Sequence, residues 1–181
     1  MAFAYEQKQE RVIDKEEILI EIMNTYGDEL LRLIYSYVKN KEVAEDLTQD
    51  IFIKVYERID QFEQRSSLRT WLYRIAINQS KDYLKSWHFR KVRTEAEDFF
   101  LSHTVEKTPE IRTVEKAEEE ELVCKVFSLP LKYREVIYLF YYQECSVGEI
   151  SELLKVKEGT VKTRLYQARR KLRIKWNEED L

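Results

Sequence analysis

Apolar side chains recur along this chain at helical rather than strand spacing. Between about Glu16 and Val38, the residues Ile18, Ile22, Tyr26, Leu30, Leu33, Ile34, Tyr37 and Val38 predict one or two helices. Gly27 is the place where they would divide, and Asn40 is the expected C-cap. From Lys41 a second stripe runs through Val43, Leu47, Ile51, Val55 and Ile59 at a strict spacing of four, widened by Phe52 and Tyr56. Its opposite face carries Glu45, Asp46, Gln49, Asp50 and Glu57, which periodicity alone reads as a solvated surface. Gln61 to Leu68 is a polar loop containing Ser66 and Ser67. A third helix then runs from about Ser67 to Trp87, with Leu68, Trp71, Leu72, Ile75, Ala76, Gln79 and Tyr83 on successive turns.

Thr94 to Glu115 is acidic, contains Pro109 and loses the period, so it reads as a flexible linker. Helicity resumes near Glu115, with Leu122, Val123, Val126 and Phe127 on one face, and stops at Leu129-Pro130. Lys132-Tyr133-Arg134 opens the next helix, which carries Val136, Ile137, Leu139 and Phe140. The last pattern, Ser146 to Trp176, is two amphipathic segments meeting at a hinge, Val156-Lys157-Glu158-Gly159. Ser146 and Glu149 have the form of a capping box ahead of the apolar face Val147, Ile150, Leu153 and Leu154. Val161, Leu165, Ala168, Leu172 and Trp176 then make one buried stripe. The remaining face holds Lys162, Thr163, Arg164, Tyr166, Gln167, Arg169, Arg170, Lys171 and Arg173. A short helix, a turn containing Gly and a second helix with a basic outward face form a helix-turn-helix suited to the DNA major groove.

Composition agrees with the period. Three Gly and two Pro in 181 residues leave little turn material for a many-stranded fold. The expected class is all-α: two small helical domains, residues 1–93 and 115–181, joined by the linker 94–114. No run approaches a membrane span and the N-terminus lacks a signal-peptide core, so a cytoplasmic protein without membrane insertion is expected. Cys124 and Cys145 fit no ligand pattern and read as reduced core residues; His88 and His103 are unpaired, so no metal is expected. No Gly-rich phosphate loop or nucleophile–base signature appears, so neither a cofactor nor an active site is expected.

Charge changes the picture more. The net charge of −3 is strongly segregated: residues 1–64 hold eight basic and fifteen acidic side chains, whereas 65–93 hold eight basic and one acidic. Residues 94–121 hold three basic and ten acidic, and 155–175 hold nine basic and only Glu158 against them. Two basic blocks separated by an acidic one suggest two contacts with a polyanion. In the first block Arg65, Arg69, Arg74, Lys81, Lys85, Arg90, Lys91 and Arg93 interleave with Trp71, Tyr73, Tyr83, Trp87 and Phe89. Cations to follow phosphates and rings to stack on bases are what a single-stranded surface needs. Core packing is the competing role for Trp71 and Tyr83, while Tyr73, Arg74 and Trp87 fit either.

Several of these residues also fall into motifs. Asp46-Leu47-Thr48-Gln49-Asp50-Ile51-Phe52 resembles a DL-x-Q-E-x-F motif, and Ser67 through Asn78, SLRTWLYRIAIN, resembles FxTWLYRIAxN. Leu129-Pro130 through Val136-Ile137, and Ser146-Val147-Gly148-Glu149-Ile150 through Gly159-Thr160-Val161-Lys162-Thr163-Arg164, are similar to LPxxxREV and SxxEIAxxLxxxxGTVKSR. On these motifs the chain is identified as a member of the extracytoplasmic-function (ECF) group of bacterial sigma-70 factors, over about residues 20–175. The resemblance implies a protein that binds core RNA polymerase, directs it to promoters and helps to melt the start site. It implies an N-terminal domain that docks on the β′ clamp through Asp46, Leu47, Gln49, Asp50 and Phe52. The same domain would capture the −10 strand with Arg65, Ser66, Arg69, Trp71, Arg74, Asn78 and Lys81. The C-terminal domain would sit on the β flap, its helix-turn-helix framed by Ser146, Ile150, Leu154, Gly159, Val161 and Leu165. There Lys162, Thr163, Arg164, Tyr166, Gln167 and Arg170 would face −35 duplex DNA. An anti-sigma factor, often membrane-anchored in this group, is the implied regulator.

The sequence departs from the family's pattern at some of these positions. Asp50 stands for the usual Glu, and Ser151 for an Ala. Lys162 and Gln167 stand where Arg is frequent, which exchanges guanine contacts for a phosphate partner and an adenine reader. Phe140 stands where an Arg often precedes the aromatic residue. These departures bear on promoter sequence. Two rivals remain at this point: a helix-turn-helix regulator working without polymerase, and a helical protein-interaction module. The first would need a sensory half of alternating strands and helices, which residues 16–92 do not show.

Overall fold

The computed structural model describes residues 15–63, 66–86 and 122–179, with the side chains of the last helix as far as Arg173. Every regular element among them is helical. The expected linker, Arg65, Trp87, Phe89 and the basic residues from Arg90 to Arg93 lie outside the described residues.

Helix α1, Lys15–Val38, and helix α2, Lys41–Arg58, pair antiparallel, and Lys15 Nζ reaches Asp60 Oδ2 at 2.7 Å to join the start of one to the end of the other. Their facing stripes, Ile22, Leu30, Leu33, Ile34 and Tyr37 against Ala44, Leu47, Ile51, Phe52 and Val55, are buried as their spacing predicts. α1 is continuous through Gly27, where an added Cβ would meet nothing nearer than Phe52 at 4.0 Å. Of the two readings the sequence leaves open, one helix or two divided at Gly27, the single helix forms; the flanking apolar stripe keeps its register and outweighs the weak helix propensity of one Gly. Asn40 is also corrected. Lys39 takes the left-handed conformation that ends α1, and Asn40 instead caps α2 by accepting the Val43 N–H at 2.9 Å. A 3-10 turn, Ile59–Gln61, follows, and helix α3, Leu68–Lys85, starts at the Ser67 cap. α3 packs across both earlier helices through Leu72, Tyr73, Ala76 and Ile77.

The second domain starts, among described residues, with helix α4 (122–127). Pro130 then sets the entry of α5, Leu131–Ile137, which begins one residue before the expected Lys132. α5 widens into a π-turn, Tyr138–Tyr142, where the Cys145 N–H reaches the Leu139 carbonyl at 2.9 Å. Helix α6, Val147–Leu154, carries the predicted capping box in full: Ser146 Oγ accepts the Glu149 N–H at 3.2 Å, and Glu149 Oε2 accepts the Ser146 N–H at 2.8 Å. Helix α7, Glu158–Glu179, closes the fold with Val161, Leu165 and Ala168 buried against α5 and α6. The turn differs from expectation. Lys155, at φ 54°, supplies its left-handed residue, and Gly159 lies inside the first turn of α7 with nothing within 4 Å of an added Cβ.

The two domains are docked. α1 packs on α5 and α3 packs on α6, so one seam joins the helix that carries Arg69 and Lys81 to the helix-turn-helix.

Candidate nucleic-acid and polymerase interface

The C-terminal face is built on the buried stripe of α7. With Val161 and Leu165 turned inward, the helical period turns Lys162, Thr163, Tyr166 and Arg170 outward. Tyr166 is 61% exposed although it is a large aromatic ring. Lys162 pairs only loosely with Glu158, at 3.9 Å across one turn, so its charge is available to a polyanion. Thr163 is exposed and donates its hydroxyl back to the Gly159 carbonyl at 2.8 Å. Gln167 is half-buried at the edge of this face. Ile150, Leu154, Val161 and Leu165 serve as the core that fixes α6 against α7. Burying each large aliphatic residue here contributes roughly 1.5–3 kcal/mol.

Arg164 is set apart from its neighbours. It borders the buried stripe, and its guanidinium turns to Glu135 Oε1 at 2.9 Å instead of outward.

In the N-terminal domain, Asp46, Gln49 and Asp50 are exposed along α2, while Leu47 and Phe52 are buried in the core. The acidic face and its apolar support are therefore two sides of the same helix. On α3, Asn78 is exposed, Arg74 half-buried, and Trp71 half-buried with its ring tilted against Phe62 at 5.4 Å. Ser66 is half-buried ahead of the Ser67 cap. Tyr73, which the sequence leaves open between core and contact, is core. Its hydroxyl bonds Glu29 and Gln143, and burial, reinforced by the Glu29 hydrogen bond, raises its pKa.

Arg69 and Lys81 have partners that the sequence does not show. Arg69 donates Nε to Glu29 Oε1 at 2.6 Å, and Nη2 to the Gln143 carbonyl at 3.1 Å and the Gln143 side-chain oxygen at 2.9 Å. Burial opposes the charge on Arg69, but Glu29 more than offsets it, and the pKa is raised. Lys81 Nζ sits 2.9 Å from Glu135 Oε2. Sequence reasoning missed Arg134 and Glu135 altogether as functional residues, although both lie within the LPxxxREV-like stretch. Both are almost completely buried, and a charged pair inside an amphipathic helix is the signal that would have found them.

No group of three or more His, Cys, Asp or Glu is placed to hold a metal among the described residues, and none of the described helices is long and apolar enough to cross a membrane.

A three-helix domain with an acidic outer helix and a basic inner one, docked to a helix-turn-helix domain, is the arrangement of a promoter-reading sigma-70 protein. Residues 22–89 match the family model for sigma-70 region 2, and residues 120–172 match that for sigma-70 region 4. The chain is 34% identical to the ECF RNA polymerase sigma factor SigW of Bacillus subtilis over 173 residues, covering 87% of this chain and 88% of that one. It belongs to the ECF RNA polymerase sigma factors. Two solved structures share its fold. One is CnrH in complex with the cytosolic domain of CnrY, with a TM-score of 0.64, 21% identity and coverage of 90% of both chains. The other is RpoE of Bartonella quintana in complex with the anti-sigma factor NepR, with a TM-score of 0.62, 23% identity and coverage of 88% of this chain and 94% of that one.

Proposed function

We propose that this sigma factor reads −35 duplex DNA with the outward face of α7, using Lys162, Thr163, Tyr166, Gln167 and Arg170. In this reading Arg164 joins that face once it is free of Glu135. The single observation that carries the reading is the exposed Tyr166 among cations on a helix whose opposite side is fully buried. A large ring held in water gains by stacking on a sugar or packing on a thymine methyl, and its neighbours supply phosphate contacts. The first domain, residues 1–93, takes the −10 strand with Ser66, Arg74, Asn78 and Lys81 and with Arg65 and Arg69 beside them. Trp71 supports that surface from behind, packed on Phe62. Asp46, Gln49 and Asp50 bind the β′ clamp, with Leu47 and Phe52 holding their helix in place. The second domain, residues 115–181, sits on the β flap, and residues 94–114 link the two.

Capture of unpaired bases offsets the stacking lost on melting, so opening needs no ATP and no active site on this chain. It works in the cytoplasm, where polymerase is, and is held inactive by an anti-sigma factor, as the complexed state of both structural neighbours supports. Run-off transcription with purified core polymerase on genomic fragments tests the whole reading; no core binding and no transcript from any fragment would end it. Tyr166→Ala and Lys162→Ala are expected to weaken duplex binding and leave core binding unchanged. Equal loss of both would place the recognition face elsewhere.

A further inference from the structure

Glu135 is 4% exposed, yet groups from three helices converge on it. Lys81 Nζ of α3 lies 2.9 Å from Oε2, Arg164 of α7 lies 2.9 Å from Oε1, and the Tyr37 hydroxyl of α1 donates to Oε2 at 3.3 Å. The adjacent Arg134 crosses the same seam, donating to the Ser36 and Tyr37 carbonyls of α1 at 2.6 and 3.2 Å. Further along, Arg69 of the first domain holds Gln143 of the second through both its backbone and side-chain oxygens.

We infer that this seam is an autoinhibitory latch in which Glu135 binds one cation from each DNA-reading surface, Lys81 from the −10 face and Arg164 from the −35 face. The inference rests on the surfaces proposed above. A cation 2.9 Å from a buried carboxylate is not available to a phosphate, so the docked chain withholds contacts from both promoter elements at once. Arg69, held by Glu29 and Gln143, is withheld in the same way.

Charge explains why the seam can switch as well as hold. Lys81, Arg134 and Arg164 surround one carboxylate, so the cluster is attractive only while Glu135 is charged and in place. Draw one cation away to DNA and the seam loses a cross-domain tie. Remove the carboxylate and three cations face one another where screening is weak. DNA bound at one face therefore loosens the docking and frees the cation of the other face. By linkage, −10 and −35 binding strengthen each other equally.

The test is Glu135→Gln in the full chain, with Cys124 replaced by Ser so that the one remaining thiol reports on the seam. Cys145 lines a small cavity of about 140 Å³ between the domains with Ser67, Arg69, Thr70, Tyr73, Glu149 and Leu153, so opening exposes it. Glu152→Gln makes the same charge change at an exposed residue and serves as control. Glu135→Gln is expected to speed Cys145 labelling. It should also tighten binding to a mixed-sequence duplex and to oligo-dT by a factor within the roughly 5–150-fold range of two-site coupling. Glu152→Gln should do neither. Unchanged labelling with unchanged or weaker DNA binding in Glu135→Gln overturns the latch. Faster labelling without tighter binding shows that the seam opens but does not occlude DNA, which also overturns it. If Glu135→Gln does not fold, Glu29→Gln, which frees Arg69 at the other end, must show the same two changes or the latch falls. Lys162→Ala keeps the two readings apart. If it leaves duplex binding untouched in both backgrounds, the recognition face is wrong, while the Cys145 rate still judges the docking.

Discussion

Arg134 gives a sharp quantitative test of how the two domains are held. It is 4% exposed and donates to four backbone carbonyls: Ser36 at 2.6 Å, Tyr37 at 3.2 Å, Leu129 at 2.9 Å and Phe127 at 3.2 Å. The first two belong to the last turn of α1, Phe127 ends α4 and Leu129 lies in the turn just after it, so a single guanidinium ties the C-terminal ends of two helices from different domains. Burial lowers its pKa, but a guanidinium stays charged in proteins and its planar fork spans both ends. Arg134→Met keeps the stem and removes the fork, leaving buried carbonyls without donors. Hydrogen bonds from a charged donor are each worth about 1.5–3 kcal/mol, but bonds sharing one donor are not additive. The expected cost is therefore about 3–5 kcal/mol, as for removing one partner of a buried ionic cluster. At this chain length that corresponds to a Tm lower by roughly 6–20 °C. Arg134→Lys offers a point charge that reaches one helix end at a time and should recover less than half of the loss. Far-UV circular dichroism melts of the three proteins decide the matter. A Met variant melting within about 2 °C of the parent, or a Lys variant equal to the parent, would refute the double-cap argument.

Three other outcomes follow from side chains in and around the same seam. Burial pushes the Cys145 thiol up to about 11, so at pH 8 only about one in a thousand is thiolate. A disulfide reagent at that pH should modify the exposed Cys124 promptly and Cys145 only after denaturant is added; equal rates would contradict the burial. The Ser146 side chain and backbone hydrogen bonds hold the Glu149 carboxyl below its usual pKa. A depressed folded pKa means stability that is present above the unfolded value and lost as pH falls through the folded one. Glu149→Gln should thus lower the urea midpoint near neutral pH, with the gap closing below about pH 4, and a constant gap would remove the carboxylate from the cap. Ser146→Ala should cost about 1 kcal/mol at neutral pH by the same measurement. Ser80 is fully buried in α3 with no hydrogen-bond partner for its hydroxyl among the described residues, so Ser80→Ala should leave Tm unchanged or raise it. A clear drop on differential scanning fluorimetry would mean that the hydroxyl is satisfied.

Helix existence and faces were legible because burial imposes a period that any window of the chain carries. α2, α3 and the stripe of α7 sit where Leu47, Leu72 and Leu165 predict, and the Ser146–Glu149 box closes as its spacing requires. Punctuation was less legible. An Asn between two helices satisfies either end, and here Lys39 took the left-handed position, which left Asn40 to cap the next helix. The same happened at the second turn, where Lys155 adopts the left-handed conformation and Gly159 joins the helix. Each residue fits its alternative place at little cost, so composition alone does not choose between them.

What periodicity could not carry is the choice of partner for a cation. The stripe on α7 separates inward from outward residues, but Arg164 stands at the border, and from there its long side chain reaches either a groove or Glu135. The same ambiguity covers Lys81 and Arg69 on α3. Their carboxylate or amide partners lie on other elements, Gln143 being 74 residues from Arg69 and Glu135 being 29 from Arg164. A pairing over that distance leaves no local pattern, because it depends on how two finished domains meet. One local sign existed: Arg134 and Glu135 stand side by side in a short helix whose neighbours Val136 and Ile137 are buried, so both charges had to be buried and paired. Followed through, that constraint predicts the seam. A buried carboxylate needs cations, and of the two on α5 Lys132 is exposed while Arg134 is committed to backbone carbonyls. The missing cations must come from other elements, and the basic blocks are where the chain has them to give. In the reading proposed above, the cations that would contact DNA are thus the same ones that Glu135 holds across the seam, so DNA and Glu135 would compete for them.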